Sequence, residues 1–179
     1  SDNPSGTPIY TFTVGVNQCG TASEEGDCYS REHSFPSSWW GGSSSTTAFQ
    51  YTDLHHLFPA DQYVNLKKSN FPIGNVSLTS NPWVSTNGSM VGTCAEIEYS
   101  GKVFEPIDEY KGDFARAYFY MITRYKDLIP TWTQNFPTQA LAQITEGDNF
   151  KTWYVNMLLQ WHLNDPVSLK EINRNNAIY

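Results

Sequence analysis

The pattern of apolar residues changes abruptly near residue 104, and this change limits the folds open to the chain more than any other feature. Over residues 71–101, Gly, Asn, Ser and Pro recur too often for a long helix, which predicts loops and short strands. Residues 108–126 instead carry apolar side chains at three- and four-residue spacing, which predicts one long helix that Pro130 ends. The apolar face of that helix consists of Ala115, Tyr118, Phe119, Ile122 and Tyr125.

Shorter elements complete the predicted fold. Residues 149–162 and 168–176 are typical of helices, and the alternation over residues 10–14 predicts a short strand. Residues 62–70 suit a short helix or an irregular loop. A chain of 179 residues is long enough for one domain with its own core. The predicted fold class is therefore α+β, with an irregular β and loop N-terminal half and a helical C-terminal half.

Three of the four histidines lie in two short segments, residues 31–36 and 52–59, which share one pattern. Each segment places a carboxylate near a histidine and then reaches an apolar residue and a proline. Glu32 directly precedes His33, and the two can share a site at the end of a strand that leads into a turn. These are the residue types that a hydrated metal ion and a general base require. The dipeptide alone equally fits an exposed histidine beside a solvated glutamate.

The second segment predicts a carboxylate that orients an imidazole ring. Asp53 and His55 are two residues apart, so on a strand they lie on one face, with His56 facing away. A structural bond between a buried His55 and Asp53 fits the same spacing. A zinc site from His33, His55 and His56 fits by residue type alone, because no zinc-binding spacing supports it.

Other polar residues carry weaker signals. Asn65 offers an amide oxygen suited to magnesium or calcium, and Lys67 with Lys68 forms a small basic patch, yet a polar helix surface explains all three. Arg116, flanked by alanines, is either part of an ion pair at the edge of the core or an inward-pointing phosphate clamp. His162, on an apolar helix, is more typical of a structural histidine.

Charge and cysteine content limit the function classes. The net charge of −7 disfavours nucleic acid as a partner unless cations gather at the cleft and a divalent metal adds positive charge. Cys19 and Cys28 flank a short polar loop and either form a disulfide or remain reduced, and Cys94 is expected to be free. No apolar run reaches about 18 residues, so no transmembrane helix is predicted.

A binding module is the functional class that competes with an enzyme using a metal ion and a general base. Aromatic residues make up 15 % of the chain, and Trp39 with Trp40 beside Gly41 and Gly42 could form a platform for stacked sugar rings. A secreted carbohydrate-binding module would use such a platform. A domain that binds nucleic acid without cutting it is the second alternative.

Several segments resemble the bacterial endonuclease I family, whose members are secreted or periplasmic nucleases with a His-Me (ββα-metal) finger. The resemblance runs in order from about residue 19 to residue 179 and rests on residues 26–36, 52–57, 64–70, 104–106, 111–121, 161–162, 165–168 and 173–176. It implies a His-Me finger nuclease core within one endonuclease I-like domain over residues 1–179. Family members usually continue into a Gln-Gly-Asn-Arg-Asn-Pro motif, so we expect this domain to lack the family's C-terminal end.

The resemblance also implies roles for individual residues. His33 matches the general base, and Glu32 and Asn65 match the two protein ligands of a divalent metal. We expect Mg²⁺ as the cofactor, with Ca²⁺ or Mn²⁺ as alternatives.

Four further residues match supporting positions of the family. Lys68 falls where the family usually has an arginine that binds phosphate, and lysine weakens a bidentate grip. Arg116 matches an arginine on the helix behind the site. Asp53 and His55 match an Asp-Leu-His motif that we expect to shape the site.

The function implied is metal-dependent, largely sequence-nonspecific endonuclease activity. The substrate class is nucleic acid, with DNA first and RNA as a second candidate, and the products would carry 5′-phosphates. We expect a monomer that makes no membrane contact and acts in a secreted or periplasmic location.

Overall fold

Strands precede the three longest helices in chain order, with the exception of one late pair of short strands. A computed structural model describes residues 10–42, 48–132, 142–143 and 149–179, and at 142, 143 and 149 it describes the backbone alone. The described strands are β1 (Tyr29–His33), β2 (Leu57–Asp61), β3 (Trp83–Val84), β4 (Met90–Thr93), β5 (Lys102–Glu105), β6 (Ala142–Gln143) and β7 (Asn149–Phe150). The described helices are α1 (Phe49–Thr52), α2 (Gln62–Lys68), α3 (Asp108–Arg124), α4 (Ile129–Trp132), α5 (Thr152–Asn164) and α6 (Leu169–Ile178). Short 3₁₀ helices cover Ser37–Trp40, Leu54–His56 and Leu78–Ser80. This mixture confirms the predicted α+β class.

The chain divides into two compact units, and each unit is built from two separate stretches. The first unit contains Ser1–Glu32 and Phe58–Ile107, and the second contains His33–Leu57 and Asp108–Tyr179. The first division falls at the peptide bond between Glu32 and His33, within β1.

A three-stranded antiparallel sheet forms the core of the first unit. β4 lies between β3 and β5, with Trp83 opposite Val91 and Met90 opposite Glu105. The buried side chains of this core are Ile73, Val76, Val91, Cys94, Val103, Phe104 and Ile107. Glu105 is buried among them and accepts a hydrogen bond from Val76 N, which explains how a carboxylate is tolerated there.

β1 and β2 form a second, two-stranded sheet, and α2 follows β2 without a loop. Asp61 joins these elements because its Oδ1 caps the first turn of α2, accepting from the backbone N–H groups of Tyr63 (2.9 Å) and Val64 (3.1 Å). Its Oδ2 accepts from Gly26 N at 2.7 Å. The start of α2 is therefore fixed at both carboxylate oxygens.

A disulfide joins Cys19 and Cys28 just before β1, and Cys94 is a free, buried thiol. The loop closed by this disulfide contacts α2 directly. Gln62 N donates to Cys28 O, and Gln62 Nε2 donates to Gly20 O, both at 2.9 Å. The disulfide loop thus supports the corner between β2 and α2.

The second unit is organised by α3 and α5, which pack against each other. Tyr154, Met157, Leu158 and Trp161 are the buried face of α5. Ala115 and Tyr118 of α3 are buried, as is Tyr125 directly after the helix, so three of the five positions of the predicted apolar face are confirmed. Phe119 and Ile122 are half-buried.

Aromatic rings fill the remainder of this second core. Phe35 packs edge-on against Trp39 with ring centroids 4.8 Å apart, and Trp40 lies 5.9 Å from Trp132. Trp39 is 0 % exposed and Trp40 is 7 % exposed. These two tryptophans are core residues, so the alternative in which they form a sugar-binding platform is wrong.

Two sequence-based expectations about local structure were also wrong. Residues 10–14 form no strand, because a turn closes there, with Val16 N and Asn17 N donating to Thr13 O. α3 ends at Arg124, six residues before Pro130, and that proline lies inside α4. No helix among the described residues is long and apolar enough to cross a membrane.

Candidate active site

The alternation of side chains along β1 places Glu32 inside the first unit. Arg31 is exposed, whereas Glu32 is 7 % exposed, because successive strand residues point to opposite faces. The carboxylate of Glu32 faces Lys68, whose Nζ lies 2.5 Å from Oε1. Lys68 is 2 % exposed, and among the described residues its Nζ has no hydrogen-bond partner besides this carboxylate.

Two opposing effects act on the pKa of the buried Glu32 carboxyl group. Burial raises the pKa of Glu32, and the charge and hydrogen bond of Lys68 offset only part of that effect. A further cation beside the carboxylate would stabilise its ionised form. Because Lys68 engages Oε1, Oε2 is the oxygen available to such a cation.

Asn65 lies on the face of α2 that contacts β1. Its Nδ2 donates to Ser30 Oγ at 2.9 Å, which leaves Oδ1 as the atom that can bind a cation. Ser30 and Glu32 are two residues apart and so share one face of β1, while Asn65 and Lys68 are three apart and share one face of α2. Two contacts, Asn65 with Ser30 and Lys68 with Glu32, therefore bring these faces together.

The donor set on these two faces fits a hard divalent ion. A carboxylate and an amide oxygen suit Mg²⁺, which commonly takes one or two protein oxygens and keeps several waters. The described residues hold no group of three or more His, Cys, Asp or Glu side chains arranged around a common metal position. A zinc-type cluster of His33, His55 and His56 is therefore not present in the described part of the chain.

His33 ends β1 and belongs to the second unit. Its Nε2–H donates to Tyr51 O at 2.9 Å, and the two rings stack with centroids 5.1 Å apart. The rings of Trp40 and His56 lie 5.7 Å and 5.4 Å from the imidazole. With the proton on Nε2, the neutral ring has Nδ1 as the atom that can take up a proton.

His56 forms part of the wall beside His33. It is 0 % exposed, and its Nε2–H donates to Gln50 O at 2.6 Å. Burial lowers the pKa of His56 to about 4, against the opposing effect of the Gln50 bond, and the nearby imidazole of His33 lowers it further. His56 is thus neutral at pH 7, and the prediction that it faces away from the site is wrong.

Asp53 and His55 do interact, but through a turn rather than a strand. Asp53 precedes the 3₁₀ helix Leu54–His56, and its Oδ1 accepts from His55 N at 2.9 Å and from His55 Nδ1–H at 3.2 Å. Its Oδ2 accepts from the hydroxyls of Tyr120 and Tyr125 at 2.8 and 2.7 Å. Burial acts to raise the pKa of Asp53, but these hydrogen bonds outweigh it and leave the pKa lowered.

Arg116 is held by a dense network within the second unit. Its Nε and Nη2 donate to the two carboxylate oxygens of Glu171 at 2.7 and 2.6 Å, and Nη2 also reaches Asp113. Its Nη1 donates to Asp165 O at 2.7 Å and to His162 Nδ1 at 3.1 Å. This geometry favours the supporting role over the phosphate clamp, and it explains His162 as a structural histidine.

Sequence reasoning missed three residues of the second unit whose side chains bind the histidine segment at residues 52–59: Tyr120, Tyr125 and Arg174. Arg174 Nη2 donates to the backbone carbonyls of Leu54 and Leu57, with the second contact at 2.9 Å. Its position within residues 173–176, which carry part of the family resemblance, was the signal that could have singled it out.

The expected site residues fall into two groups. Glu32, Asn65 and Lys68 meet in the first unit. The second unit contains His33, Asp53, His55 and Arg116. Glu32 and His33, one from each group, are neighbours in the chain.

Known proteins similar to this chain carry nuclease names. Two extracellular ribonucleases match it, one from Bacillus amyloliquefaciens at 35 % identity over 152 residues and one from Bacillus subtilis (strain 168) at 32 % over 153 residues. Each match covers 84 % of this chain and 46 % of the relative. An Endonuclease-1 from Buchnera aphidicola subsp. Acyrthosiphon pisum is 30 % identical over 95 residues, covering 48 % of this chain and 35 % of the relative.

The chain thus spans less than half the length of the curated ribonucleases it matches. The Endonuclease I family profile matches residues 1–179. Since this match covers every residue of the sequence, the protein belongs to the endonuclease I family.

Proposed function

We propose that this protein is a divalent-metal-dependent endonuclease that hydrolyses phosphodiester bonds with little sequence preference and leaves 5′-phosphates. The observation that carries the proposal is the pair of facing surfaces on β1 and α2, where Glu32 and Asn65 present hard oxygen donors. Family membership and the nuclease names of the relatives agree with this chemistry.

Within this proposal the strand pair β1–β2 and helix α2 form the ββα finger of a His-Me nuclease. Glu32 Oε2 and Asn65 Oδ1 would hold Mg²⁺, with Mn²⁺ or Ca²⁺ as substitutes. When bound, the ion supplies positive charge for the phosphate and the leaving oxygen. Lys68 offsets part of the effect of burial on Glu32 and orients its carboxylate, and contact with phosphate is its secondary role.

His33 serves as the general base in this proposal. Tyr51 O accepts the Nε2–H bond, so the ring is fixed in the tautomer whose Nδ1 can take the proton of the attacking water. A backbone carbonyl holds this tautomer without adding charge. Asp53 acts at a distance from the reaction, because its carboxylate fixes the turn that carries His55 and His56.

The substrate and location follow from the relatives' names. Extracellular ribonuclease and Endonuclease-1 are the printed names of the matched proteins, so we propose both RNA and DNA as substrates. We also propose an extracytoplasmic location and a monomeric enzyme. A protein that contacts backbone phosphates rather than base edges has little means of reading sequence.

Digestion of plasmid DNA and of RNA with Mg²⁺ and with EDTA tests the activity. We expect cutting with Mg²⁺ and none with EDTA. His33→Ala should lower the rate by about 10²- to 10⁴-fold, the usual contribution of a general base, while Mg²⁺ affinity by calorimetry stays within about twofold.

Asn65→Ala should weaken Mg²⁺ binding, and excess Mg²⁺ should restore part of the rate. Leu66→Ala, at the exposed next position of α2, is the matched control and should behave as wild type. Wild-type rates from His33→Ala would refute the base assignment, and nucleic-acid binding without cutting would identify an inactive homologue.

A further inference from the structure

The supports of His33 that the structure describes come mainly from one short stretch, residues 51–57, which we name the histidine cradle. Tyr51 accepts the Nε2–H bond and stacks on the ring. His56 borders the ring, and its carbonyl accepts both Ser34 N and Ser34 Oγ at 3.0 Å. The cradle therefore fixes the ring of His33 and the backbone of the residue that follows it.

The cradle is held at its C-terminal end by one guanidinium group. Leu57 N donates to Leu54 O and closes the 3₁₀ turn, and Arg174 Nη2 donates to the carbonyls of these same two residues. The carbonyl oxygens at the end of such a turn carry partial negative charge, so they attract a cation placed there. Arg174 thus bonds the first carbonyl of the turn and the carbonyl just past its end.

The helix that carries Arg174 is anchored independently of the cradle. Arg174 lies one turn after Glu171 on α6, and Glu171 makes the bidentate pair with Arg116 of α3. A capping box between Ser168 and Glu171 fixes the start of the same helix. Loss of the Arg174 side chain therefore leaves α6 anchored while it removes the two bonds from this helix to the turn.

We propose that Arg174 is a positioning residue for His33, acting through the cradle and touching neither substrate nor metal. It holds the Leu54–Leu57 turn so that Tyr51 O and the His56 ring meet the imidazole in one orientation. This inference rests on the proposed role of His33 as the general base. It gives a role to Arg174 within residues 173–176, a segment that the proposed reaction mechanism does not otherwise use.

Arg174→Ala is the direct test, measured by steady-state cleavage. We expect kcat to fall by about 10- to 100-fold, because small misplacement of a catalytic group is costly, while KM and Mg²⁺ affinity stay within about twofold. Added guanidinium ion at millimolar concentration should restore part of kcat. Arg174→Lys should show an intermediate kcat, since one ammonium can reach either carbonyl.

Lys170→Ala is the matched control, because Lys170 is a cation on the same helix that donates to Tyr110 OH. It should keep the wild-type kcat. A loss in Arg174→Ala that neither guanidinium nor lysine restores would indicate a merely structural role and would overturn the proposal. An unchanged kcat in Arg174→Ala would do the same.

A second readout uses the protein without metal or substrate. In ¹H NMR the Nε2–H proton of His33, protected by Tyr51 O, should exchange with water faster in Arg174→Ala than in wild type or Lys170→Ala. If the wild-type protein cuts no nucleic acid, the proposed function fails, yet this exchange still tests the link from Arg174 to His33. Equal exchange in all three proteins would overturn the link.

Discussion

Lys68 and Glu32 form a pair whose charges are both withdrawn from water. Removing two ions from water costs several kcal/mol each, and mutual attraction recovers this only while both partners remain. The pair is therefore better explained by the contact that it makes between β1 and α2 than by a net contribution to the free energy of unfolding. It keeps a carboxylate at a buried position where burial alone would favour the neutral acid.

Lys68→Met should destabilise the fold by about 3–5 kcal/mol at neutral pH, because Glu32 is left buried without its partner. Urea denaturation measures the loss. Combining this change with Glu32→Gln should recover much of it. Lys67→Met, at the neighbouring position where Nζ lies over the Tyr63 ring, should cost about 1 kcal/mol or less. If Lys68→Met and Lys67→Met lowered the free energy of unfolding equally, the buried pair with Glu32 would not explain the loss at Lys68.

At the scale of elements, one glycine decides how closely α3 approaches the end of α5. Gly112 N donates to Asp165 Oδ2 at 2.8 Å. A Cβ at Gly112 would lie 2.7 Å from Arg116 Nη1 and too close to Asp165 O to fit without a shift of backbone. The residue that usually weakens a helix is here what allows the Arg116 network to form.

Gly112→Ala should therefore reverse the usual sign of a helical glycine substitution. Alanine normally stabilises a helix interior by about 0.5–1 kcal/mol, but overpacking here should destabilise the fold by about 1–3 kcal/mol. Thermal unfolding measures the change. Gly20→Ala is the control, since a Cβ there meets no atom within 4 Å. A stabilised Gly112→Ala protein would contradict the close approach.

Elements with a strong local signal were predictable, and those set by distant partners were not. The start of α3 at Asp108 agrees with the prediction, because acidic residues in the first turn are a local signal. No strand among the described residues pairs with residues 10–14, where a strand was expected, and the chain turns at Gly15, where φ is +77°. Asp53 was expected on a strand, yet its side chain bonds His55 N and forms a turn instead.

The candidate site shows the same division. Glu32, His33 and Asn65 were named from the sequence because family resemblance marked them. Their partners could not be named, since Tyr51 lies 18 residues from His33 and Arg174 lies 117 residues from Leu57. Such bonds depend on tertiary packing that spacing does not encode.

At the scale of the whole molecule, stability should depend on pH through the carboxyl groups near Arg116. Burial and the hydrogen bond with Glu171 raise the pKa of Asp113 to about 7, from 3.8 in the unfolded chain. Between these values the folded protein holds a proton that the unfolded chain has lost. The stability contributed by this group is thus full below about pH 4 and is lost as pH rises through 7.

The pKa of Glu171 moves the other way. Burial opposes the shift, but the bonds from Arg116 and Ser168 N lower it, so its contribution is lost as pH falls below about 4.5. Asp113→Asn should therefore remove the decline in unfolding free energy between about pH 5 and 7 while keeping the decline at lower pH. Urea titrations across this range measure both. An unchanged pH profile would show that Asp113 carries no proton in the folded protein.

Because each unit is assembled from two stretches, the order of synthesis on the ribosome has a consequence. Both stretches of the first unit have been synthesised once Ile107 has left the ribosome. The segment His33–Leu57 can pack into the second unit only after α3, α5 and α6 have also emerged. Tyr118 OH donates to Ser34 O, and Arg174 bonds the cradle from the middle of α6. The imidazole is thus set in place only after α6 has left the ribosome, so the candidate site stays incomplete while all of the residues between His33 and Arg174 are being added.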